Sequence, residues 1–348
     1  MKISIGTNIK DGPWGGGNLF AINLTKFLKS NGHDVCDNLK DDDIDIILIT
    51  EPRITSESSA FTDIDVLSYL KFKNKNALVV HRINECDERK NTNYVNSTLI
   101  KANKTADGTV FVSNWLKNLF VKQGIKNQNL NVILGGADSE IFNSKLKEKY
   151  IEGEKFKIVT HHWGNNWNKG FDVYSKLDTL LENPAWRSKI DFTYVGNLPK
   201  DFQFRNAKHV TPLSGLGLAN ELKKHDIYVT ASLNEPSGNH HIEAAQCGLP
   251  LLYIDSGGIP EYCHNYGLMF LDSNFEEKLL DMITNYEKYK NNMLQYPFNA
   301  NKMCSDYLNL FNNMYEKKEQ ILSDRELPSF SSTKFLESKI RSLIKKVR

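Results

Sequence analysis

Two glutamates, Glu235 and Glu243, lie eight positions apart in the segment DIYVTASLNEPSGNHHIEAAQCGLPLLYIDSGGIPEYC, residues 226–263. The β-branched and aromatic run over 226–232 predicts a buried strand, and the residues that open the following helix are Ser237, Gly238 and Asn239. In a parallel sheet this order places Glu235 and the first helix amides at the carboxyl ends of the strands. Ligands of open α/β folds bind at that edge, so the segment predicts a binding site.

The chemistry of the predicted site follows from the charges around the helix start. Unpaired amides at Gly238 and Asn239, together with the helix dipole, favour a phosphate by about 0.3 to 2 kcal/mol. Two carboxylates beside that anion would repel it, unless they bind hydroxyl groups instead. We therefore interpret Glu243 as a ligand of ribose and Glu235 as a ligand of a second sugar. An ordinary helix cap with surface glutamates is the alternative.

A second candidate loop, DGPWGGGNLFAINLTKFL, carries Gly15, Gly16 and Gly17 between the first predicted strand and its helix. Glycine permits the backbone to approach a ligand closely. The loop lacks the third spaced glycine of a dinucleotide-binding fingerprint, and a tight turn is the alternative.

The elements that position these residues alternate between short apolar strands and longer helical patterns, which is typical of βαβ units. The pattern predicts an α/β protein with two doubly wound sheets and a cleft between them. The predicted strands are 2–7, 44–50, 76–83, 108–113 and 130–134 in the first half, and 157–161, 191–195, 208–212, 226–232, 249–255 and 267–271 in the second. The predicted helices are 18–30, 169–182, 216–224 and 238–247.

Length and composition agree with two domains and exclude several classes of protein. The chain has 348 residues, and its 44 basic and 42 acidic residues leave a formal charge of +2. Without a basic stripe interleaved with aromatics, nucleic-acid binding is not expected. The five scattered cysteines form no Cys-x-x-Cys pair and indicate a reducing compartment. We expect no signal peptide and no membrane span, and hence a cytoplasmic protein.

The polar composition of 143–155 is typical of a linker. It predicts a first domain over 1–148 and a second domain over 149–320. The pattern over 275–320 predicts two helices with a break near Pro297. The following segment, SDRELPSFSS, is typical of a loose connector. The final segment, 333–348, has apolar residues at helical spacing with lysines and arginines between them. This pattern predicts a basic amphipathic helix. The helix either contacts the inner face of an anionic membrane or packs on the protein and exposes its basic face to solvent.

The segment EPSGNHHIEAAQCGLPLLYIDSGGIPE resembles the donor-site signature of retaining glycosyltransferases of the GT-B fold, especially family 4, also called group 1. Two further segments are similar to motifs of that family, FVSNWLKNLFVKQGI and VILGGADSEIF, so the resemblance covers about residues 1–320. It implies two Rossmann-like domains facing across a cleft, with the acceptor on the first and a nucleotide-sugar on the second.

The resemblance also implies roles for individual residues. Glu235 would contact the transferred sugar, Glu243 the nucleotide ribose, and the backbone at Ser237, Gly238 and Asn239 the diphosphate. Gly16 and Gly17 would face the donor phosphates and the acceptor.

In HHWGNNWNKGF, Lys169 matches the family lysine that contacts the diphosphate, whereas the expected arginine is replaced by Trp163 and Gly164. His161, His162 or an arginine elsewhere would have to compensate. His81, at the end of the predicted strand ALVVH, is a further catalytic candidate near the transferred sugar. The loop that follows supplies acceptor-side candidates: Arg82, Glu85 and Asp87.

Two patterns that could suggest a metal are not interpreted as metal sites. The acidic run 41–45 precedes a strand and therefore lies at the amino edge of the sheet. The histidine pairs 161–162 and 240–241 lack helical ligand spacing.

The sequence thus predicts a hexosyltransferase that moves a sugar, with retention, from a nucleotide-sugar to a saccharide or lipid-linked acceptor. We expect a UDP- or GDP-linked donor, and neither a cofactor nor a metal. A non-catalytic sugar or nucleotide binder is the main alternative. A nicotinamide-dependent enzyme is a weaker one, because the chain lacks Gly-x-Gly-x-x-Gly.

Overall fold

The computed structural model describes residues 1–10, 15–127, 129–333, 335–336 and 340. It divides into two compact units. Unit 1 contains Met1–Leu134 and the described residues from Asn301 onward, and unit 2 contains Gly135–Ala300.

Each unit is built on a six-stranded, fully parallel sheet. The strands are β1 Lys2–Ile5, β2 Asp34–Cys36, β3 Ile46–Ile49, β4 Leu78–Ile83, β5 Gly108–Phe111, β6 Leu130–Val132, β7 Phe156–His162, β8 Ile190–Gly196, β9 Lys208–Val210, β10 Ile227–Thr230, β11 Leu251–Ile254 and β12 Gly267–Phe270.

Helices connect the strands, as the alternation in the sequence predicts. They are α1 Gly16–Ser30, α2 Asp63–Phe72, α3 Asp87–Lys90, α4 Val95–Asn103, α5 Asn114–Lys122, α6 Phe171–Leu180, α7 Pro184–Arg187, α8 Gly215–Leu222, α9 Asn239–Gln246, α10 Ile259–Cys263, α11 Phe275–Thr284, α12 Tyr286–Asn292, α13 Ala300–Glu316 and α14 Lys318–Ser323.

The strand order differs between the two sheets. Unit 1 has the order β2-β1-β3-β4-β5-β6, and unit 2 has the order β12-β11-β10-β7-β8-β9. The order reverses between β1 and β3 in unit 1 and between β7 and β10 in unit 2, and a crevice forms at such points in doubly wound sheets. The sequence pattern did not predict β2, which is only three residues long and has no buried residue.

The units differ from the predicted domains, 1–148 and 149–320, at both boundaries: unit 2 begins at Gly135, and α13 from Asn301 onward belongs to unit 1. One face of this helix enters the core around β1, β3 and β4, through Met303, Cys304, Tyr307, Phe311 and Met314. Burial of that face, rather than position in the sequence, therefore fixes the boundary. The predicted break near Pro297 is present, since a 3-10 turn at Met293–Gln295 separates α12 from α13.

The segment after α14 is not the loose connector that its composition predicts. Arg325 donates from Nε to Asp107 Oδ1 at 2.7 Å and from Nη2 to Oδ2 at 2.6 Å, and both side chains are buried. Its guanidinium also donates to the carbonyls of Lys75 and Ala77, at 2.8 and 2.7 Å. A planar guanidinium fits these acceptors as a fork, so the segment is fixed to unit 1 at the amino edge of its sheet.

The predicted basic helix over 333–348 lies almost entirely outside the described residues. None of the helices that the structure describes combines the length and apolar character needed to cross a bilayer.

Candidate functional site

The candidate site lies in unit 2, where β7 and β10 pair directly at the reversal of strand order. His161 and His162 end β7, and the next loop leads to a 3-10 turn at Trp167–Lys169. After β10, the loop 231–238 leads to α9. The two loops leave neighbouring carboxyl ends, so the order of strands alone brings the predicted site residues together.

Backbone contacts hold these two loops in place. Leu233 N–H donates to Asn168 O at 2.8 Å. Gly170 has φ +101, and a Cβ there would lie 2.6 Å from Ala231 Cβ, so only glycine permits this close approach.

The peptide of Glu235 is held by the glycines that follow β11. Gly258 N–H donates to Glu235 O at 2.8 Å. Gly257 has φ +64, and a Cβ there would lie 2.6 Å from Glu235 N. The Gly-Gly turn is therefore the support that fixes the position of Glu235.

Lys169 and Glu235 form a buried ion pair. Lys169 Nζ lies 2.7 Å from Glu235 Oε2, and only 10% and 5% of the two side chains are exposed. The sequence predicted both residues as site residues but not their direct contact. An ammonium beside a carboxylate at the edge of the sheet can bind sugar hydroxyls on one side and an anion on the other.

Glu243 is held by a histidine that the sequence did not predict as its partner. His161 Nε2 lies 2.9 Å from Glu243 Oε2, and both side chains are buried. The Tyr228 hydroxyl lies 3.2 Å from His161 Nδ1. Glu243 Oε1 accepts no hydrogen bond from the residues that the structure describes, which leaves this oxygen for a ligand.

Helix α9 begins at Asn239, with Gly238 as its N-cap, and among the described residues no side chain accepts a hydrogen bond from its first amides. Ser237 lies just before the cap, and its Oγ accepts a hydrogen bond from the Tyr262 hydroxyl at 2.8 Å. That hydroxyl accepts in turn from Gly135 N–H at 2.8 Å. The three predicted phosphate-site residues thus stand together at an uncapped helix start, which favours an anion.

The two histidine pairs converge below this helix start. The His162 and His240 rings lie 4.5 Å apart, and those of His240 and His241 lie 4.8 Å apart. Burial lowers the pKa of His240 well below its usual value, and it lowers that of His241 to about 3, so both are neutral. Among the described residues no group of three side chains has the geometry to hold a metal ion.

The position of the missing family arginine adjoins the lysine. A Cβ built on Gly164 would lie 3.3 Å from Lys169 Cε, and the Trp163 side chain is half exposed. The two histidines proposed to compensate have other partners: His161 contacts Glu243, and His162 Nε2 lies 2.7 Å from the Tyr174 hydroxyl.

In unit 1 the glycine loop leads directly into α1. Gly16 and Gly17 open the helix, and Gly15 is its N-cap with φ +82. Among the described residues, nothing lies within 4 Å of a Cβ built on Gly15 or Gly17, so packing in that part of the chain does not require glycine at either position. The positive φ of Gly15 explains why glycine occupies that position. Nothing among the described residues explains the glycine at position 17.

His81 does not end its strand, because β4 continues to Ile83. Its side chain is 0% exposed, and Nδ1 lies 3.3 Å from Asn103 Nδ2. Burial lowers its pKa to about 3. The structure therefore places His81 as a neutral, fully buried residue inside β4, and its role near the transferred sugar stays a prediction. Arg82, also inside β4, is buried with its guanidinium 4.0 Å from the centre of the Phe20 ring.

The other acceptor-side candidates make local structural contacts. Asp87 accepts from the amides of Tyr94, Val95 and Asn96 at 2.9 to 3.1 Å, and thereby caps α4. Burial opposes its ionisation, but these bonds and one from the Thr92 hydroxyl lower its pKa. Glu85 binds the side chains of Arg89 and Lys90, at 2.9 and 3.1 Å.

Comparison with known proteins gives the family context of this geometry. Residues 161–286 match the family described as glycosyl transferases group 1. The chain is 30% identical over 186 residues to the GPI3 subunit of phosphatidylinositol N-acetylglucosaminyltransferase of Saccharomyces cerevisiae. That match covers 49% of this chain and 41% of the relative, so the chain spans about two fifths of the length of this relative.

Solved structures match nearly the whole chain at low sequence identity. The catalytic domain of starch synthase IV from Arabidopsis thaliana, bound to ADP and acarbose, has a TM-score of 0.67 at 12% identity, covering 90% of this chain and 99% of that one. A glycosyltransferase from Rickettsia africae has a TM-score of 0.64 at 16% identity, with coverage of 90% and 98%. Anabaena HepE, in complex with UDP-glucose, has a TM-score of 0.58 at 14% identity, with coverage of 92% and 99%.

These matches confirm the predicted GT-B fold and the predicted resemblance to group 1 glycosyltransferases.

Proposed function

We propose that this chain, whose residues 161–286 match the group 1 glycosyltransferases, transfers a hexosyl group from a nucleotide-sugar to an acceptor, with retention of the anomeric configuration. The observation that carries the proposal is the buried Lys169–Glu235 pair beside the uncapped start of α9. A UDP- or GDP-linked sugar is the expected donor, and no cofactor takes part.

Each group of the site has a task in this reaction. Glu235 binds hydroxyls of the transferred sugar, and Glu243 binds ribose through the oxygen that His161 leaves open. The α9 amides and Ser237 bind the diphosphate. When the bond to the sugar breaks, negative charge grows on the diphosphate, and Lys169, 2.7 Å from Glu235, stabilises it. Such a donor contributes about 3 to 4 kcal/mol to the transition state.

A screen of UDP-, GDP- and ADP-sugars by thermal shift, followed by assays of transfer and hydrolysis, tests this proposal. A ligand present at about a hundredfold its Kd adds about 2.7 kcal/mol of stability. We expect one donor class to stabilise the protein, and Lys169→Ala and Glu235→Ala to abolish turnover. Lys176→Ala is the matched control, because Lys176 pairs with Asp272 at the surface. If no nucleotide-sugar binds or reacts, the proposal fails.

A second candidate function is a non-catalytic binder of sugars or nucleotides. It is favoured by Gly164 at the arginine position and by the pairing of Lys169 with Glu235, which leaves the site with little positive charge for a leaving group. A binder would show donor affinity without turnover, and the same two substitutions would change only its Kd.

A lipid-linked acceptor is the finer part of the proposal. The matched yeast relative is named for N-acetylglucosaminyl transfer to phosphatidylinositol, and the tail 333–348 has a basic amphipathic sequence suited to an anionic bilayer. We expect the full chain to sediment with liposomes that contain phosphatidylserine, and a chain lacking 333–348 to lose this binding. Equal binding by both chains would contradict membrane contact through the tail.

A further inference from the structure

His240, the second residue of α9, lies between the helix start and the sheet. More than nine tenths of the residue is buried. Its Nε2 lies 2.8 Å from Thr230 Oγ1 at the end of β10. The other edge of the ring faces the N-cap, because a Cβ built on Gly238 would lie 2.6 Å from Nδ1. Within the part of the chain that the structure describes, Nδ1 makes no hydrogen bond.

The neighbouring histidine determines which nitrogen of His240 carries the proton. His241 Nδ1 lies 3.4 Å from His240 Nε2, and His241 Nε2 is buried without a hydrogen-bond partner among the described residues. An N–H buried without an acceptor costs more than an unused lone pair, so the His241 proton belongs on Nδ1. His240 Nε2 then accepts from His241 and from the Thr230 hydroxyl, which leaves the His240 proton on Nδ1.

We propose that His240 binds the diphosphate of the donor nucleotide, by donating from Nδ1–H beside the first amides of α9. This inference rests on the proposed function and adds a side chain to its diphosphate site. This contact requires glycine at position 238, because any side chain there would displace the His240 imidazole from the N-cap.

The charges of the site give a reason for a neutral donor at this position. Glu235 and Glu243 bring two carboxylates, and Lys169 already contacts Glu235. A second buried cation would carry a large desolvation cost, whereas a neutral imidazole N–H adds a hydrogen bond without one. His240 thereby supplies, from the helix, part of the diphosphate contact that the missing arginine at position 164 would supply from the loop.

Three substitutions of His240 test the inference, because each keeps a different part of the ring. His240→Asn places an amide N–H at the position of Nδ1, His240→Gln places its amide at the position of Nε2, and His240→Leu keeps neither. The probes are UDP, GDP and ADP, each compared with its nucleoside by isothermal titration calorimetry. For the diphosphate that binds wild type, we expect Gln and Leu to raise Kd about 10- to 100-fold and Asn to stay within about threefold.

The nucleosides separate a lost phosphate contact from a damaged fold. Uridine, guanosine or adenosine should bind all three variants as they bind wild type, because these ligands lack the diphosphate. His225→Leu is the control, since His225 is a buried histidine at the opposite end of β10, bonded to Glu221 O. It should lower the thermal midpoint and leave the diphosphate Kd unchanged.

Two outcomes overturn the inference. One is an unchanged diphosphate Kd in the Gln and Leu variants, and the other is an equal loss of diphosphate and nucleoside affinity. Both leave the proposed function intact. If wild type binds none of the three diphosphates, the proposed function fails and this inference fails with it.

Discussion

The carboxyl edges of the two sheets hold polar side chains of similar kinds and use them differently. In unit 2, Lys169, Glu235, His161 and Glu243 form two buried pairs that bridge separate loops and an uncapped helix. In unit 1, Asp87 caps α4, Glu85 binds the side chains of the adjacent α3, and His81 lies inside β4.

This contrast distinguishes a binding site from a structural scaffold when both contain buried charge. A structural carboxylate such as Asp87 has its oxygens occupied by nearby backbone amides, which stabilise the local chain. The unit 2 pairs join residues 66 and 82 positions apart, and they lie at the reversal of strand order. Holding such charges out of water costs free energy that a ligand can offset.

The largest expected effect comes from breaking the lysine–glutamate pair. Lys169→Met removes the ammonium that lies 2.7 Å from the buried Glu235 carboxylate, and we expect the free energy of unfolding to fall by about 3 to 5 kcal/mol. Turnover should fall about 10²- to 10³-fold or more. Adding Glu235→Gln should recover much of the stability and none of the turnover, as measured by urea denaturation and initial rates. A small stability loss in the single variant would remove the distinction between the two edges.

His81 provides an intermediate effect through pH. Its pKa falls from 6.5 in the unfolded chain to about 3 in the fold, so the unfolded state binds the extra proton as pH drops. Above pH 6.5, His81 is neutral in both states and does not change the free energy of unfolding. As the pH falls from 6.5 toward 3, protonation of the unfolded chain lowers the free energy of unfolding. At pH 5 the loss is about 2 kcal/mol.

His81→Asn retains an acceptor for Asn103 and removes this titration. The difference in unfolding free energy between pH 7.5 and pH 5 should therefore be about 2 kcal/mol smaller than in wild type. If the pH dependence is unchanged while donor turnover is lost, His81 belongs to the site, as the sequence predicted.

A smaller effect is expected at the α4 cap. Asp87→Ala removes the acceptor of three amides and should lower the free energy of unfolding by about 1 to 2 kcal/mol, with the KM of the donor and acceptor unchanged. Urea denaturation and steady-state kinetics measure the two quantities. A raised acceptor KM at unchanged stability would support the acceptor-side role that the sequence predicted.

The smallest change in stability is expected in the glycine loop. The methyl group of Gly17→Ala, inside α1, meets no described residue within 4 Å, so the free energy of unfolding should stay equal or rise by up to about 1 kcal/mol. If the loop faces donor phosphates, turnover should nevertheless decline, because the methyl group blocks close approach of the backbone. Unchanged kinetics would restrict the donor site to unit 2.

Much of the fold was predictable because alternating strands and helices leave a local signature. Buried strands such as β10 are continuous apolar runs, and Ser237, Gly238 and Asn239 mark a helix start within the sequence itself. The division into units was less predictable. The sequence of 300–320 predicts a helix, but it does not indicate the unit to which that helix belongs. Packing of Tyr307 and Phe311 on the core of β1, β3 and β4 decided it.

The residue types of the site, their order along the chain and their place at the carboxyl ends of parallel strands can be predicted from local sequence. The partner of each side chain depends on the three-dimensional fold. Lys169 meets Glu235 and His161 meets Glu243 because β10 pairs with β7, and no local pattern encodes which strands become neighbours. The same long-range pairing sets His240 against Thr230 and turns its Nδ1 edge toward Gly238.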